Sequence, residues 1–495
     1  MRYGSKDSVR NVKVTGTLRK PQIITTFGSG SMVDMAEYSV IMASTDYWTK
    51  SNRIYEPNLQ RLLGVNYFQE PKSSETDLPN GNPDIPAFRF PMMHYCLQCN
   101  RLMSYRDFGN LHVKKCPECN KPIIPSRFIV ACDNGHLEDF PYRWWVHHGD
   151  FSSCPAADKY DKLKIEFSSN SGGLGSITIR CTACGKERTM EGCMSKGALK
   201  GYKCKGRRPW IGMKNENSDS ETCGREMRAL QRGASNVYFP LTQSSLTIPP
   251  WSKGINAEIE QKWEEILEFM DDENDYEIKR KLIKALFKNT LSKGRYNLDD
   301  LMNCIESRIR HTEKSSNIYS EIKLLEEEYK AICVPYEGEV DDKFKTYTSD
   351  VPEDFKEYID DVVLVKRLRE VLALKGFRRI MPGSMSKEVE VTPDGNAKDY
   401  TPLSSEKLNW LPAVEMIGEG IFIRFSENII NEWEKRIGNR YEHMSKNMAS
   451  GINKRDDLSP RYVMLHTFAH LLIRQLTIKC GYSSSALKER IYSTY

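Results

Sequence analysis

Cys96-Leu97-Gln98-Cys99 and, sixteen residues later, Cys116-Pro117-Glu118-Cys119 decide what kind of fold this sequence adopts. Each C-x2-C turn points two thiolates at one tetrahedral ion, so the C-x2-C-x16-C-x2-C pattern predicts a zinc ribbon. Four sulfur donors leave no open coordination position, and such a site holds a fold rather than activating water. Four unrelated reduced thiols would have no reason to come as two equally spaced pairs.

Working outward, eleven of the 14 cysteines lie between Cys96 and Cys223, and Cys304, Cys333 and Cys480 stand apart. A second set is Cys181-x2-Cys184 followed singly by Cys204 and Cys223, which the spacing groups as a second structural zinc site with Cys193 as a competing ligand. Between the sets lies Cys132-Asp-Asn-Gly-His136, with His147, His148 and Cys154 downstream. These either complete a third, mixed Cys/His site, or Cys132 packs in a core and His136 caps the turn at Gly135. The sequence leaves both open.

The 495 residues suffice for several domains, and 39% hydrophobic with 28% charged residues describes a globular chain. No uninterrupted apolar run approaches the length of about 18 residues that a membrane span needs. The start, MRYGSKDSVRNVKV, carries no apolar stretch of a secretory signal, so a cytoplasmic location with reduced thiols is expected. A net charge of +5 identifies no partner, because a clustered basic face matters more than the total.

Four segments follow from patterning. Residues 1–90 read as a β-rich region with a tight turn at Phe27-Gly-Ser-Gly-Ser31 and a polar loop over 70–86. That turn has no lysine in Walker register and is read as structural, not phosphate-binding. Residues 91–250 form the cysteine-rich module, closed by short strands at Asn236–Pro240 and Leu246–Pro249 and bounded by Pro249-Pro250. Residues 251–380 carry densely charged helical periodicity, as in EQKWEEILEFM, IKRKLIKALFK and YSEIKLLEEEYKAI, and a further helix is expected over 353–375. Residues 381–495 hold one short strand within MPGSMSKEVEVTPDGNAKDYTPLSS, a strand near Gly420–Phe425 and more helix. The expected class is therefore α+β and multidomain: a zinc-ribbon module of short strands, a helical region and a mixed α/β C-terminal domain.

Around the second cysteine set, Lys203, Lys205, Arg207, Arg208, Arg225 and Arg228 gather with Lys196, Lys200, Lys214 and Arg232, interleaved with Tyr202 and Trp210. A metal-stiffened loop bearing cations and rings suits a DNA backbone, double- or single-stranded, with a dispersed solvated surface as the alternative. Arg143-Trp-Trp-Val-His147 reads as a core anchor. In Tyr462–Leu476 a helix places Leu465, Ala469, Leu472 and Leu476 on one face and His466, His470 and Arg474 on another. Two histidines four apart can chelate a metal, but Thr467 stands where a zincin needs its Glu, which argues against a protease. A metal-dependent nuclease using His466 and His470 is the competing class, and a pure interaction scaffold is a third. No paired-carboxylate, Ser/His/Asp or Cys/His catalytic set stands out, so no enzyme is expected.

Several long strings resemble the DrmB family, a component of the DISARM anti-phage defence system. They are Thr25–Asp34, Ala131–Pro141 with Trp144–His147, Gly206–Trp210, Arg232–Pro240, Ser244–Pro249, His466–Ile473 and Cys480–Tyr492. The resemblance implies a bacterial, helicase-associated protein without catalytic activity that joins the DISARM helicase DrmA and helps it engage phage DNA. It also implies a C-terminal zinc-binding domain like that of the mitomycin-repair helicases. That domain continues in the family beyond the Ser-rich turn with additional cysteines, whereas this sequence stops at Tyr495. The expectation is therefore a truncated chain, or one completed by another polypeptide, with apolar surface exposed on the His466 helix.

Overall fold

In a computed structural model of the chain, strand Ile359–Arg378 is the spine around which the other elements assemble. The structure describes residues 17–493 except 36–37, 74–84, 109–114, 157–161, 169–172, 216–222, 273–274, 295, 314–318, 383–399 and 450–458. The spine pairs along one edge with Phe239–Leu246 and Phe344–Ser349 in succession, and along the other with Trp410–Phe425. Beyond Trp410–Phe425 the sheet continues through Tyr67–Gln69 and Arg53–Ile54. It thus draws strands from all four segments of the sequence.

This overturns the helix expected over 353–375. The apolar run Val371-Leu372-Ala373-Leu374 reads like the core face of a helix when its neighbours are ignored. In the fold, Val371 and Ala373 enter one core with Ile54, Leu59, Phe68 and Ala413, while Leu372 and Leu374 enter another with Ile24, Ile129, Trp210 and Phe377. A strand covered on both faces is apolar at every position, so its two-residue period is hidden. Ladder partners on both edges and β-branched Val362, Val363 and Val365 then favour the extended form.

The strands expected to close the cysteine module also need correction. One strand, Phe239–Leu246, replaces them, and it joins the spine instead. Pro240 is tolerated because this strand lies at the end of the sheet order, where one edge needs no ladder partner. The short strand expected within 383–399 lies outside the described residues.

Two further sheets carry the cysteines. One runs in the order Glu187–Thr189, Ile177–Cys181, Leu163–Phe167, Arg101–Ser104, Met93–Cys96, Ile123–Pro125, and the other in the order Leu137–Asp139, Phe128–Ala131, Arg228–Gln231. Near the N-terminus, Met32–Asp34, Ser39–Met42 and Ala87–Arg89 form a three-stranded sheet among the described residues. The turn at Gly28–Ser31 is packed, as expected of a structural turn: a Cβ on Gly30, where φ is +84°, would sit 2.6 Å from Phe377. The charged segment forms helices Ile255–Gln261, Trp263–Asp272, Tyr276–Leu286 and Leu298–Glu313 around Ile259, Ile266, Ile283, Phe287 and Ile305, with Glu321–Ile332 docked by Leu324 and Ile332. Helices Glu427–Ala449 and Pro460–Cys480 follow the last long strand, and the second has no buried residue and exposes Leu471 and Ile478. Among the described residues, no helix is long and apolar enough to cross a membrane.

Candidate metal centres

The first C-x2-C leaves the end of strand Met93–Cys96, and the second enters strand Ile123–Pro125, which pairs Cys96 with Ile123. That register brings the two turns together. In each, the residue after the second cysteine turns left-handed, Asn100 at φ 60° and Asn120 at φ 55°, and its N–H donates back to the first cysteine's carbonyl. Asn tolerates that conformation better than most residues. Cys96 Sγ lies 3.3 Å from Cys119 Sγ, and Cys99 Sγ lies 3.3 Å from Cys116 Sγ. The four thiols form one group.

The remaining ligands regroup relative to the sequence spacing. Cys181 and Cys184 gather with His147 and Cys154, whereas Cys204 and Cys223 gather with Cys132 and His136. The structure does not bring the Cys181 pair together with Cys204 and Cys223, because the ladder separates them. Cys181 closes a strand of the six-stranded sheet, while Cys132 and His136 flank the hairpin between Phe128–Ala131 and Leu137–Asp139 in the other sheet.

In the Cys181 group, helix Tyr142–His147 carries the imidazole. Trp145 anchors that helix, buried in the core, with its indole N–H donating to Thr189 O at 3.0 Å and Arg188 donating to its carbonyl at 3.1 Å. His147 Nδ1–H donates to Arg143 O at 2.7 Å, which leaves Nε2 as the free lone pair, 3.4 Å from Cys184 Sγ. A carbonyl behind a ligating imidazole fixes its tautomer and orientation. Cys154 and Cys181 sulfurs are 3.8 Å apart. His148, the next residue, is in no donor group and serves as the left-handed cap of the helix at φ 51°.

In the Cys132 group, Gly135 at φ 79° makes the turn, and its N–H bonds Cys132 O at 3.0 Å. His136 Nδ1 lies 3.5 Å from both Cys132 Sγ and Cys204 Sγ. Gly206 N–H and the Asn134 side-chain amide donate to Cys204 and Cys223 sulfurs. The hydrogen bond between Cys204 and Cys132, with His136 beside it, holds the Cys132 thiol below the usual thiol range and pushes the Cys204 thiol up, so the pair shares one proton in the absence of metal. A thiolate is what a metal ligand must be.

The donor sets fit one metal chemistry. A tetrahedral ion bound by sulfur at about 2.3 Å and nitrogen at about 2.0–2.1 Å sets sulfur–sulfur edges near ~3.8 Å and sulfur–nitrogen edges near ~3.6 Å. The Cys154–Cys181 distance of 3.8 Å and the sulfur–nitrogen distances of 3.4–3.5 Å match them, and the two 3.3 Å sulfur pairs of the first group are shorter than such an edge. In each of the three groups the four ligand atoms all lie within 4.8 Å of one another, and all four are cysteine sulfurs or histidine nitrogens. Cys193 is in none of them: it is fully buried in an apolar core, which pushes its thiol up to about 11.

Of the basic residues, Lys203, Lys205, Arg207, Arg225 and Arg228 are exposed and Arg208 is half-buried. Over 203–207 burial alternates, with Cys204 and Gly206 inward and Lys203, Lys205 and Arg207 outward. The same loop bonds its partner through Cys204 N–H to Arg225 O, and Lys203 pairs across the bridge with Glu226, so an acidic residue stands opposite Lys203. Asp133 forms an exposed ion pair with Arg225 at 2.9 Å. Arg232 is directed inward, to Asp34 at 3.2 Å and to the carbonyl of Pro125. Trp210, expected among the rings of this surface, is fully buried against Phe377, so it cannot stack on a base.

On helix Pro460–Cys480, His466, His470 and Arg474 do share one groove. The sequence offered them no third ligand. The structure supplies Glu489.

Residues 19–239 match a family described as a domain of unknown function (DUF8724). The chain is also similar to the DISARM protein DrmB of Bacillus paralicheniformis, 33% identical over 482 residues that cover 93% of this chain and 81% of that relative.

Proposed function

Because the chain belongs to the DrmB family of DISARM proteins, we propose that it is a non-catalytic accessory subunit of that defence system, in which three zinc ions stiffen a DNA-binding surface and a helicase, DrmA, is the partner. The observation that carries this reading is the alternation at Cys204. A ligand of the Cys132/His136/Cys204/Cys223 group faces inward, and the cations on either side of it, Lys203 and Lys205, face solvent with Arg207. Zinc bound by that group fixes the loop's path, and the fixed loop presents its cations in a row.

Phosphate neutralisation by such cations makes binding salt-dependent, with a logarithmic slope of about −0.9 per duplex phosphate contacted. The test is DNA binding by the purified chain across salt concentrations, with K203A/K205A/R207A as comparison. The reading expects a slope shallower by about 2–3 in the variant, at unchanged zinc content. An identical slope places the DNA surface elsewhere, and no DNA binding by either protein favours an interaction scaffold. The nuclease alternative gains Glu489 as a third ligand, yet that donor group contains one carboxylate where two-metal hydrolysis uses several bridging ones.

A further inference from the structure

We propose that His466, His470 and Glu489 form a fourth metal site, distinct in chemistry from the cysteine centres, which takes a divalent transition metal and fastens the C-terminal tail to helix Pro460–Cys480. The two imidazoles lie one helical turn apart with ring centroids 4.5 Å from each other. Glu489 Oε1 reaches both, at 2.7 Å from His466 Nδ1 and 3.9 Å from His470 Nε2. A metal bound at about 2.0–2.2 Å by nitrogen and carboxylate oxygen puts such donors roughly 3.3 Å apart. The two distances straddle that value, and a rotation of the carboxylate equalises them.

The 2.7 Å contact, between His466 Nδ1 and Glu489 Oε1, is an ion-pair contact and leaves the other carboxylate oxygen over. His466 Nδ1 and Glu489 Oε2 are thus two atoms buried at the atom level with no hydrogen-bond partner beside the Oε1 contact, and a cation coordinated by Nδ1 and the carboxylate would satisfy both. Two imidazoles and one carboxylate, with no sulfur, form the set used by transition metals that keep open positions for water. The adjoining groove of about 680 Å³, lined by His466, His470, Arg474 and Ser484, has room for those waters.

The tail explains why Glu489 points there. Lys488 pairs with Glu370, Arg490 is bidentate to the buried Glu328, and Tyr492 donates to the same carboxylate. In an extended segment the residues between such anchors face the other way. Helix Pro460–Cys480 has no buried residue of its own, so a metal on Glu489 adds a tie between that helix and the body.

The test uses the full chain, washed with a weak chelator so that the cysteine centres stay filled, and titrated with cobalt(II). The expected result is one added equivalent with weak visible bands and no thiolate charge-transfer absorption. That equivalent disappears in H470A, an exposed position where folding is not at stake, and binds at least about tenfold more weakly in E489Q. No added equivalent, an equivalent with thiolate absorption, or one that survives in H470A overturns the proposal.

Discussion

Arg379 donates its Nε proton to the carbonyl of Gly135 at 2.8 Å, joining the spine strand's end to the turn of the Cys132–His136 hairpin. The other guanidinium nitrogens donate to Val237 O at 2.6 Å and Gly30 O at 2.7 Å. The side chain is 1% exposed, and burial lowers its pKa to about 9. Three neutral carbonyls from three distant stretches thus replace the water around one cation. Each buried carbonyl left without a donor costs about 1–3 kcal/mol. Arg379→Met, which keeps the bulk and removes the donors, is expected to lower unfolding free energy by about 3 kcal/mol or more, read by urea denaturation of the zinc-loaded protein. A loss under about 1 kcal/mol would show that the carbonyls find other partners.

Neighbouring histidines separate ligation from mere proximity. His147→Ala is expected to release one zinc per chain, because its Nε2 faces Cys184 while a carbonyl holds its other nitrogen. His148→Asn is expected to keep every zinc, since Asn accepts the left-handed conformation that His148 adopts. Elemental analysis of both variants reads the difference directly, and equal zinc content would remove His147 from the site.

These two histidines also mark where sequence reading stops. The first ribbon was legible because all four ligands come as close pairs, and a C-x2-C turn states its own geometry. The other two centres were not, because each combines ligands from chain segments that only the sheet pairing brings together. Cys204 and Cys223 follow Cys181 in sequence, yet they close on the Cys132 hairpin. Nothing in Trp144-Trp-Val-His-His148 tells which imidazole points inward until the helix end is fixed. The spine strand was misread for a related reason: burial on both faces erased its alternation. The amphipathic helices between 255 and 332, half-exposed, kept their period and were plain.

A buried carboxylate gives the pH behaviour. Glu56 is fully buried beside Arg369, Thr247, Ser245 and the Glu328 carboxylate, and burial raises its pKa to about 7. An acid whose folded pKa lies above its unfolded value stabilises the fold below the unfolded pKa, and that contribution fades as pH rises through the folded one. The window here runs from about 4.5 to about 7. Glu56→Gln should therefore gain on the wild type across that window, by on the order of 3 kcal/mol, with little further change above it. Parallel unfolding curves of the two proteins at several pH values would show a constant gap if Glu56 were ionised throughout.

The central claim is that Cys96/Cys99/Cys116/Cys119, His147/Cys154/Cys181/Cys184 and Cys132/His136/Cys204/Cys223 each hold one zinc. The most direct measurement is metal per chain by elemental analysis on protein purified without added metal and passed over a weak chelator. Three tightly held zinc ions are predicted, falling to two in Cys132→Ser and staying at three in Cys193→Ser. A chain that carries no zinc, or that loses none in Cys132→Ser, would contradict it.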